Sequence, residues 1–169
     1  QGDMKDVSLD RKFNLVVIPF RGFLALPTVE AEIQTLLNIK RHLAPGGKLV
    51  FNVFVPDLNM LVQAGDVPYY FRDVTDPDAG TKCVLWHQST HDNHNQIIYA
   101  RTIVDELDEA GVVSRRLYRD FQLRYVYRWE MDHLLRQCGY EVLDLFGDFR
   151  RSPFDEASTE MVWVVAAKQ

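Results

Sequence analysis

Apolar residues run almost unbroken through Phe13-Asn14-Leu15-Val16-Val17-Ile18-Pro19-Phe20 and again through Lys48-Leu49-Val50-Phe51-Asn52-Val53-Phe54. Runs of this kind predict parallel strands covered on both faces. Between them Ile33, Leu36, Leu37 and Leu43 recur at helical spacing, which predicts an amphipathic helix from about Thr28 to Leu43. Strand, crossover helix and strand form a unit that is right-handed in nearly every sheet. In open α/β sheets, ligands bind at the carboxyl ends of the strands. Here those ends are Pro19-Phe20-Arg21-Gly22 and Phe54-Val55-Pro56-Asp57.

The helix has readable ends. Thr28 follows Pro27 as a cap, and Glu30 and Glu32 lie near the positive end of the dipole. Lys40, Arg41 and His42 fall in the last turn, and Gly46-Gly47 supply a permissive backbone to stop the helix. His42 reads as a C-terminal helix residue. The segment from Asp57 to Gly65 reads as a short helix or loop. From Pro68 the pattern changes to β-branched and aromatic residues mixed with polar ones. Strands are expected at 69–74, 82–91, 96–107 and 112–125, with turns at Asp92-Asn93-His94-Asn95 and Asp108-Glu109-Ala110-Gly111. A helix over Arg128–Gln137, with Met131, Leu134 and Leu135 inward and Gly139 as its cap, then leads to strands at 141–146 and 161–167. The expected organisation is one domain, 1–169. Within it, 1–66 is a strand-helix-strand unit, 67–127 an antiparallel insertion, and 128–169 a closing helix and strands.

The 169 residues suffice for one domain with a real core. The net charge is −5, from 24 acidic and 19 basic residues, with no basic block, so nucleic acid is not expected as a partner. No apolar run reaches membrane-spanning length, so no membrane association is expected. The two cysteines, Cys83 and Cys138, form neither a metal spacing nor a disulfide framework; a cytoplasmic location is the simplest expectation. The opening Gln1-Gly2-Asp3-Met4 lacks an initiator methionine and looks like a processed or truncated end.

Candidate chemistry is sparse. His87, His91 and His94 lack a completing carboxylate or thiolate motif, so no metal is expected. Cys138 sits at a helix end without a cationic neighbour in sequence, the setting of a buried structural thiol. No serine elbow, phosphate loop or dinucleotide fingerprint is present. Tyr69, Tyr70, Phe71, Trp86, Tyr125, Tyr127 and Trp129 form an aromatic set larger than a core needs. They either pack a sheet face or line a pocket, and Arg72, Arg124 and Arg128 among them could orient an anionic substrate.

The run at 13–20, followed by Leu43-Ala44-Pro45-Gly46-Gly47-Lys48-Leu49-Val50-Phe51, resembles the second half of a class I S-adenosylmethionine-dependent methyltransferase. The tail Gly139-Tyr140-Glu141-Val142, Gly147-Asp148-Phe149 and Ser152-Pro153-Phe154 is similar to the C-terminal strands of small-molecule methyltransferases of this type. The meander resembles the substrate-covering sheet of sugar N,N-dimethyltransferases. The resemblance implies an α/β fold: the C-terminal half of a Rossmann-like methyltransferase sheet with an inserted antiparallel β meander. Gly2-Asp3-Met4 resembles the Asp-Met pair of the family's adenine-contacting loop. The family's glycine-rich first loop and its ribose-binding acidic residue have no counterpart in this sequence. Asn14 stands where Asp is frequent.

The resemblance implies methyl transfer from S-adenosylmethionine to a small molecule by the parent protein, the chain itself lacking the cofactor loop and inert alone. It places Asp3, Met4, Phe20 and Arg21 at the cofactor, and Tyr70, Trp86 and Arg128 in the acceptor pocket. His87 and Asp148 are candidates for a general base. Without a neighbour for the strand at 13–20, a homodimer or association with an N-terminal segment is expected. A non-catalytic ligand-binding or assembly module derived from a methyltransferase is the rival reading. A lyase or isomerase on the same scaffold also stays open, because fold does not fix function.

Overall fold

A computed structural model describes residues 1–57 and 66–168; residues 58–65, which hold most of the segment expected to be a short helix or loop, lie outside the described residues. In chain order the elements are β1 (Phe13–Ile18), a 3-10 turn (Gly22–Ala25), α1 (Val29–His42), β2 (Leu43–Phe54), β3 (Tyr69–Thr75), β4 (Lys82–Asp92), β5 (Ile97–Leu107), β6 (Val113–Arg124), α2 (Arg128–Gln137), β7 (Tyr140–Phe146) and β8 (Glu160–Ala167). They fall into two compact units: Gln1–Asp57 with Arg124–Gln169, and Leu58–Leu123.

The first unit carries a mixed sheet in the order β1-β2-β8-β7. β1 and β2 are parallel, as their apolar runs and crossover helix predict, and β8 lies antiparallel between β2 and β7. Phe23, Leu24, Leu36, Leu49, Phe51, Val53, Met131, Leu135, Tyr140, Trp163 and Val165 form the core. Burial of these side chains supplies the main driving force for the unit. Tyr140 adds a buried bond, its hydroxyl donating to the Leu36 carbonyl at 2.8 Å.

Three sequence expectations change in this unit. The buried face of α1 is Glu32, Thr35, Leu36, Asn38 and Ile39, while Leu37 is exposed. Tertiary partners explain two of the three polar members: Asn38 Nδ2 donates to the carbonyls of Met4 and Val7, and Glu32 meets Arg124, while the buried Thr35 hydroxyl has no hydrogen-bond partner among the described residues. Hydrophobic periodicity could not see them. Next, α1 does not use Gly46-Gly47 as its stop. The helix ends at His42, and Leu43 is already extended. The glycines serve a bulge instead, where the register shifts from Phe13↔Leu43 to Leu15↔Lys48. Gly46 has φ +74°, and a Cβ on Gly47 would stand 2.8 Å from the Phe13 carbonyl oxygen. Last, β1 is not covered on both faces. It is the edge strand that the resemblance led one to expect, with β2 as its neighbour, and Leu15 and Val17 are exposed.

The closing helix α2 buries Met131, Leu134 and Leu135, and Gly139 caps it at φ +79°, in line with its sequence. His42 does more than favour the helix dipole. Its Nε2 accepts from the Leu9 N–H at 3.0 Å, so Nδ1 is the donor to the Asn38 carbonyl at 2.8 Å. The ring thus ties the N-terminal loop to the end of α1.

The second unit is a four-stranded sheet ordered β3-β4-β5-β6, a meander with antiparallel β3–β4 and β4–β5 pairs. Its polar ladder is satisfied by long-range pairs. Asp105, almost fully buried, accepts from Trp86 Nε1 at 3.0 Å and from both arms of Arg116 at 2.5 and 2.7 Å. The Arg116 guanidinium holds the Asp105 carboxyl below the usual carboxylate range.

Candidate active site

The carboxyl ends of β1 and β2 open onto a cleft of about 630 Å³. Its walls are Val17 and Ile18 of β1, Val50, Phe51 and Asn52 of β2, Glu160 and Val162 of β8, and Phe149 of the loop after β7. Its rim is the turn Pro19-Phe20-Arg21. Most of the lining is apolar, as expected for a pocket that takes a small organic ligand with few polar anchors.

The turn is built unusually. Phe20 and Arg21 both have positive φ, 55° and 58°. Two consecutive non-glycine residues in the left-handed region are strained, and such strain collects where function over-determines the backbone. The Arg21 N–H donates to Asn52 Oδ1 at 3.3 Å, and Asn52 Nδ2 donates to Glu160 Oε2 at 3.0 Å. The Arg21 guanidinium pairs with Glu160 Oε1, its Nε at 3.0 Å, and its Cζ lies 5.4 Å from the Phe54 ring centroid. Phe20 projects outward and is 97% exposed.

Of the residues singled out in the sequence, Phe20 and Arg21 therefore meet at one cleft. Asp3 and Met4 do not line it. They form a turn of their own: the Asp3 carbonyl accepts from Val7 N–H at 2.8 Å, and Asp3 Oδ1 accepts from Lys5 N–H at 2.9 Å. That bond from the Lys5 backbone lowers the Asp3 pKa. Asp148 organises its own loop, accepting from the N–H groups of Arg150 and Ser152 and from the Ser152 hydroxyl at 2.8–2.9 Å. These bonds hold its carboxyl below the usual range, the wrong direction for a base near neutral pH. Arg128 stacks over Trp129 at 4.5 Å and Phe154 at 5.2 Å.

Tyr70, Trp86 and His87 belong to the second unit. Tyr70 meets Trp86 edge-on at 6.1 Å, and His87 packs against Phe71 at 4.3 Å and Tyr69 at 6.1 Å. Burial, then the charge of Arg72, pushes the His87 imidazole below its ordinary value. Tyr69, Tyr70 and Phe71 stay about half exposed within their unit, more than core packing requires. Among the described residues no three His, Cys, Asp or Glu side chains gather as a metal site. Both cysteines are free and buried, and burial raises both thiols. No helix among the described residues is long and apolar enough to cross a membrane.

Sequence reading missed Asn52, Glu160, Phe149 and Val162 as cleft residues. Asn52 did leave a signal, a buried amide in the middle of an apolar strand. Glu160 left none, since its partners lie 108 and 139 residues away.

No family model matches the chain. A cypemycin N-terminal methyltransferase from a Streptomyces species is 27% identical over 165 residues, covering 98% of this chain and 62% of the relative. The CcbJ methyltransferase of Streptomyces caelestis superposes with a TM-score of 0.78 at 25% identity, over 99% of this chain and 62% of its own. CalS10, an amino pentose methyltransferase of Micromonospora echinaspora solved with bound S-adenosylmethionine, superposes at 0.71 with 21% identity, over 97% and 62%. The chain spans about three fifths of the length of these relatives. Its sheet order and its meander match the expected C-terminal half of a Rossmann-like methyltransferase fold. In sequence and in fold together, the chain is similar to S-adenosylmethionine-dependent methyltransferases that act on small molecules.

Proposed function

We propose that the protein to which this chain belongs transfers a methyl group from S-adenosylmethionine to a small-molecule acceptor. The observation that carries this reading is the apolar cleft at the carboxyl ends of β1 and β2, rimmed by Phe20 and Arg21, on a fold shared with methyltransferases. Methyl transfer is an in-line displacement: the acceptor's lone pair forms the new bond to carbon as the carbon–sulfur bond breaks, and the sulfur keeps that electron pair. The protein's task is to align acceptor and sulfonium and exclude water. Val17, Val50 and Val162 supply the dry wall. Phe20 and Arg21 lie beside the cofactor in this reading, with Asp3 and Met4 toward its adenine, and Tyr70, Trp86 and Arg128 serve the acceptor. His87 is kept as the candidate proton acceptor in this reading, because the loop bonds of Asp148 hold its carboxyl below the usual carboxylate range.

A strand added to the free edge of β1 would pair its open backbone groups, and the elements that come with it would cover Leu15 and Val17. That exposed edge supports a partner there, either a second copy or an N-terminal segment. Two free thiols support a reducing, cytoplasmic setting.

Calorimetric titration with S-adenosylmethionine and S-adenosylhomocysteine tests the reading. Saturable binding is the expected result for a longer chain extended upstream, with weaker or no binding by the 169 residues alone. No binding by either would overturn the reading in favour of a non-catalytic module.

A further inference from the structure

We propose that Glu160 is a positioning residue that holds the Phe20–Arg21 turn in its left-handed form, so that the Phe20 ring stands ready to cover the S-adenosyl ligand. The proposal rests on the reading of the β1–β2 cleft as the cofactor cleft.

A closed ring of bonds ties the turn to β8. From the Arg21 backbone N–H it passes to Asn52 Oδ1, from Asn52 Nδ2 to Glu160 Oε2, and from Glu160 Oε1 back to the Arg21 guanidinium. Each end of Arg21 is therefore tied, directly or through Asn52, to one carboxylate. Asn52 is almost fully buried, and its amide orientation is set by needing an acceptor for Nδ2. Glu160 provides that acceptor and so aims Oδ1 at the Arg21 N–H. Glu160 itself is mostly covered, which strengthens the charge-assisted bonds it accepts.

The held conformation is one that neither Phe nor Arg adopts by preference, and the turn is not a glycine site. Its outcome is a phenyl ring 97% exposed beside an apolar cleft. The described cleft wall leaves that ring uncovered. A bound ligand with a flat or apolar part would remove it from water, and that burial would favour binding. Glu160 touches neither the ring nor the ligand in this scheme. It acts through Arg21 and Asn52.

The test uses the full chain, and the upstream-extended chain for ligand binding, with Glu160→Gln, Glu160→Ala, Phe20→Ala and Phe20→Ala/Glu160→Ala. Amide exchange read by NMR reports the turn without any ligand. In Glu160→Ala the Arg21 amide should exchange at least about tenfold faster, with Val50 and Val164 in the β2–β8 ladder unchanged. Glu160→Gln should lie between. An unchanged Arg21 amide, or an equal acceleration across the ladder, would overturn the holding role. Titration with S-adenosylhomocysteine reports the consequence. Glu160→Ala should weaken binding about fivefold to tenfold, but by less than about twofold when Phe20 is already alanine. Independent, additive losses would overturn action through Phe20. Failure of the unaltered extended chain to bind S-adenosylhomocysteine would overturn the cofactor reading and the ligand-positioning role with it, while the exchange result decides separately whether Glu160 holds the turn.

Discussion

Glu32 offers a quantitative test of how α1 is anchored. It is fully buried on α1, and Arg124 Nη1 donates to both of its oxygens, at 2.9 and 3.0 Å. Arg124 is shared with Glu130, so one cation serves two carboxylates. Burial raises the Glu32 carboxyl, Arg124 lowers it, and burial wins, leaving it pushed up from 4.5 to about 7. Between these two values the folded state binds the proton that the unfolded chain has released. The contribution to stability is therefore full below about pH 4.5 and is lost as pH rises through about 7. A displacement of that size corresponds to about 3 kcal/mol. Urea unfolding at a series of pH values from about 4.5 to about 8, for the native chain and for Glu32→Gln, isolates the effect, because glutamine keeps the shape and cannot titrate. The stability difference between the two proteins should change by about 3 kcal/mol across that range, with the native chain gaining toward low pH. Parallel profiles would refute the reasoning and mean that Arg124 fully compensates the burial. Arg124→Met should steepen the dependence, since it leaves the carboxylate buried without its cation, at a cost of about 3–5 kcal/mol above about pH 7.

Other consequences are simpler. Thr28→Ala removes the oxygen that accepts from the Ala31 N–H at 3.2 Å and should cost about 1 kcal/mol in thermal or urea unfolding. Gly47→Ala should destabilise by about 1–3 kcal/mol, because the new methyl meets the Phe13 and Ala44 carbonyl oxygens at 2.8 and 2.9 Å; an unchanged midpoint would show that the bulge can relax. Tyr140→Phe should cost about 1 kcal/mol by removing the buried bond from its hydroxyl to the Leu36 carbonyl. Phe20→Ala should leave unfolding within about 0.5 kcal/mol of the native chain while weakening S-adenosylhomocysteine binding in the extended chain, which separates a ligand contact from a packing contact.

Elements whose physics is local were legible in the order of the amino acids. Continuous apolar runs predicted β1 and β2, period and caps predicted α1 and α2, and alternation with turn residues predicted the meander strands within a residue or two. Gly139 was legible as a cap because a left-handed C-terminus calls for glycine. The order of these pieces, with the Pro-Gly-Gly segment, was enough to expose the methyltransferase likeness. Phe20 and Arg21 were legible as cleft residues only by topology, since the carboxyl ends of strands are where such sheets open.

Whatever depends on distant partners waited for the folded chain. The inward face of α1 is half polar because Arg124, Met4 and Val7 come to meet it. Gly46-Gly47 became a bulge rather than a helix stop because β2 begins at Leu43 and must shift register against β1. The left-handed turn at Phe20 and Arg21 exists because Asn52 and Glu160 hold it from two other strands. A hydrophobic pattern records which residues leave water, but the linking of a carboxylate to a turn more than a hundred residues away is written only in three dimensions.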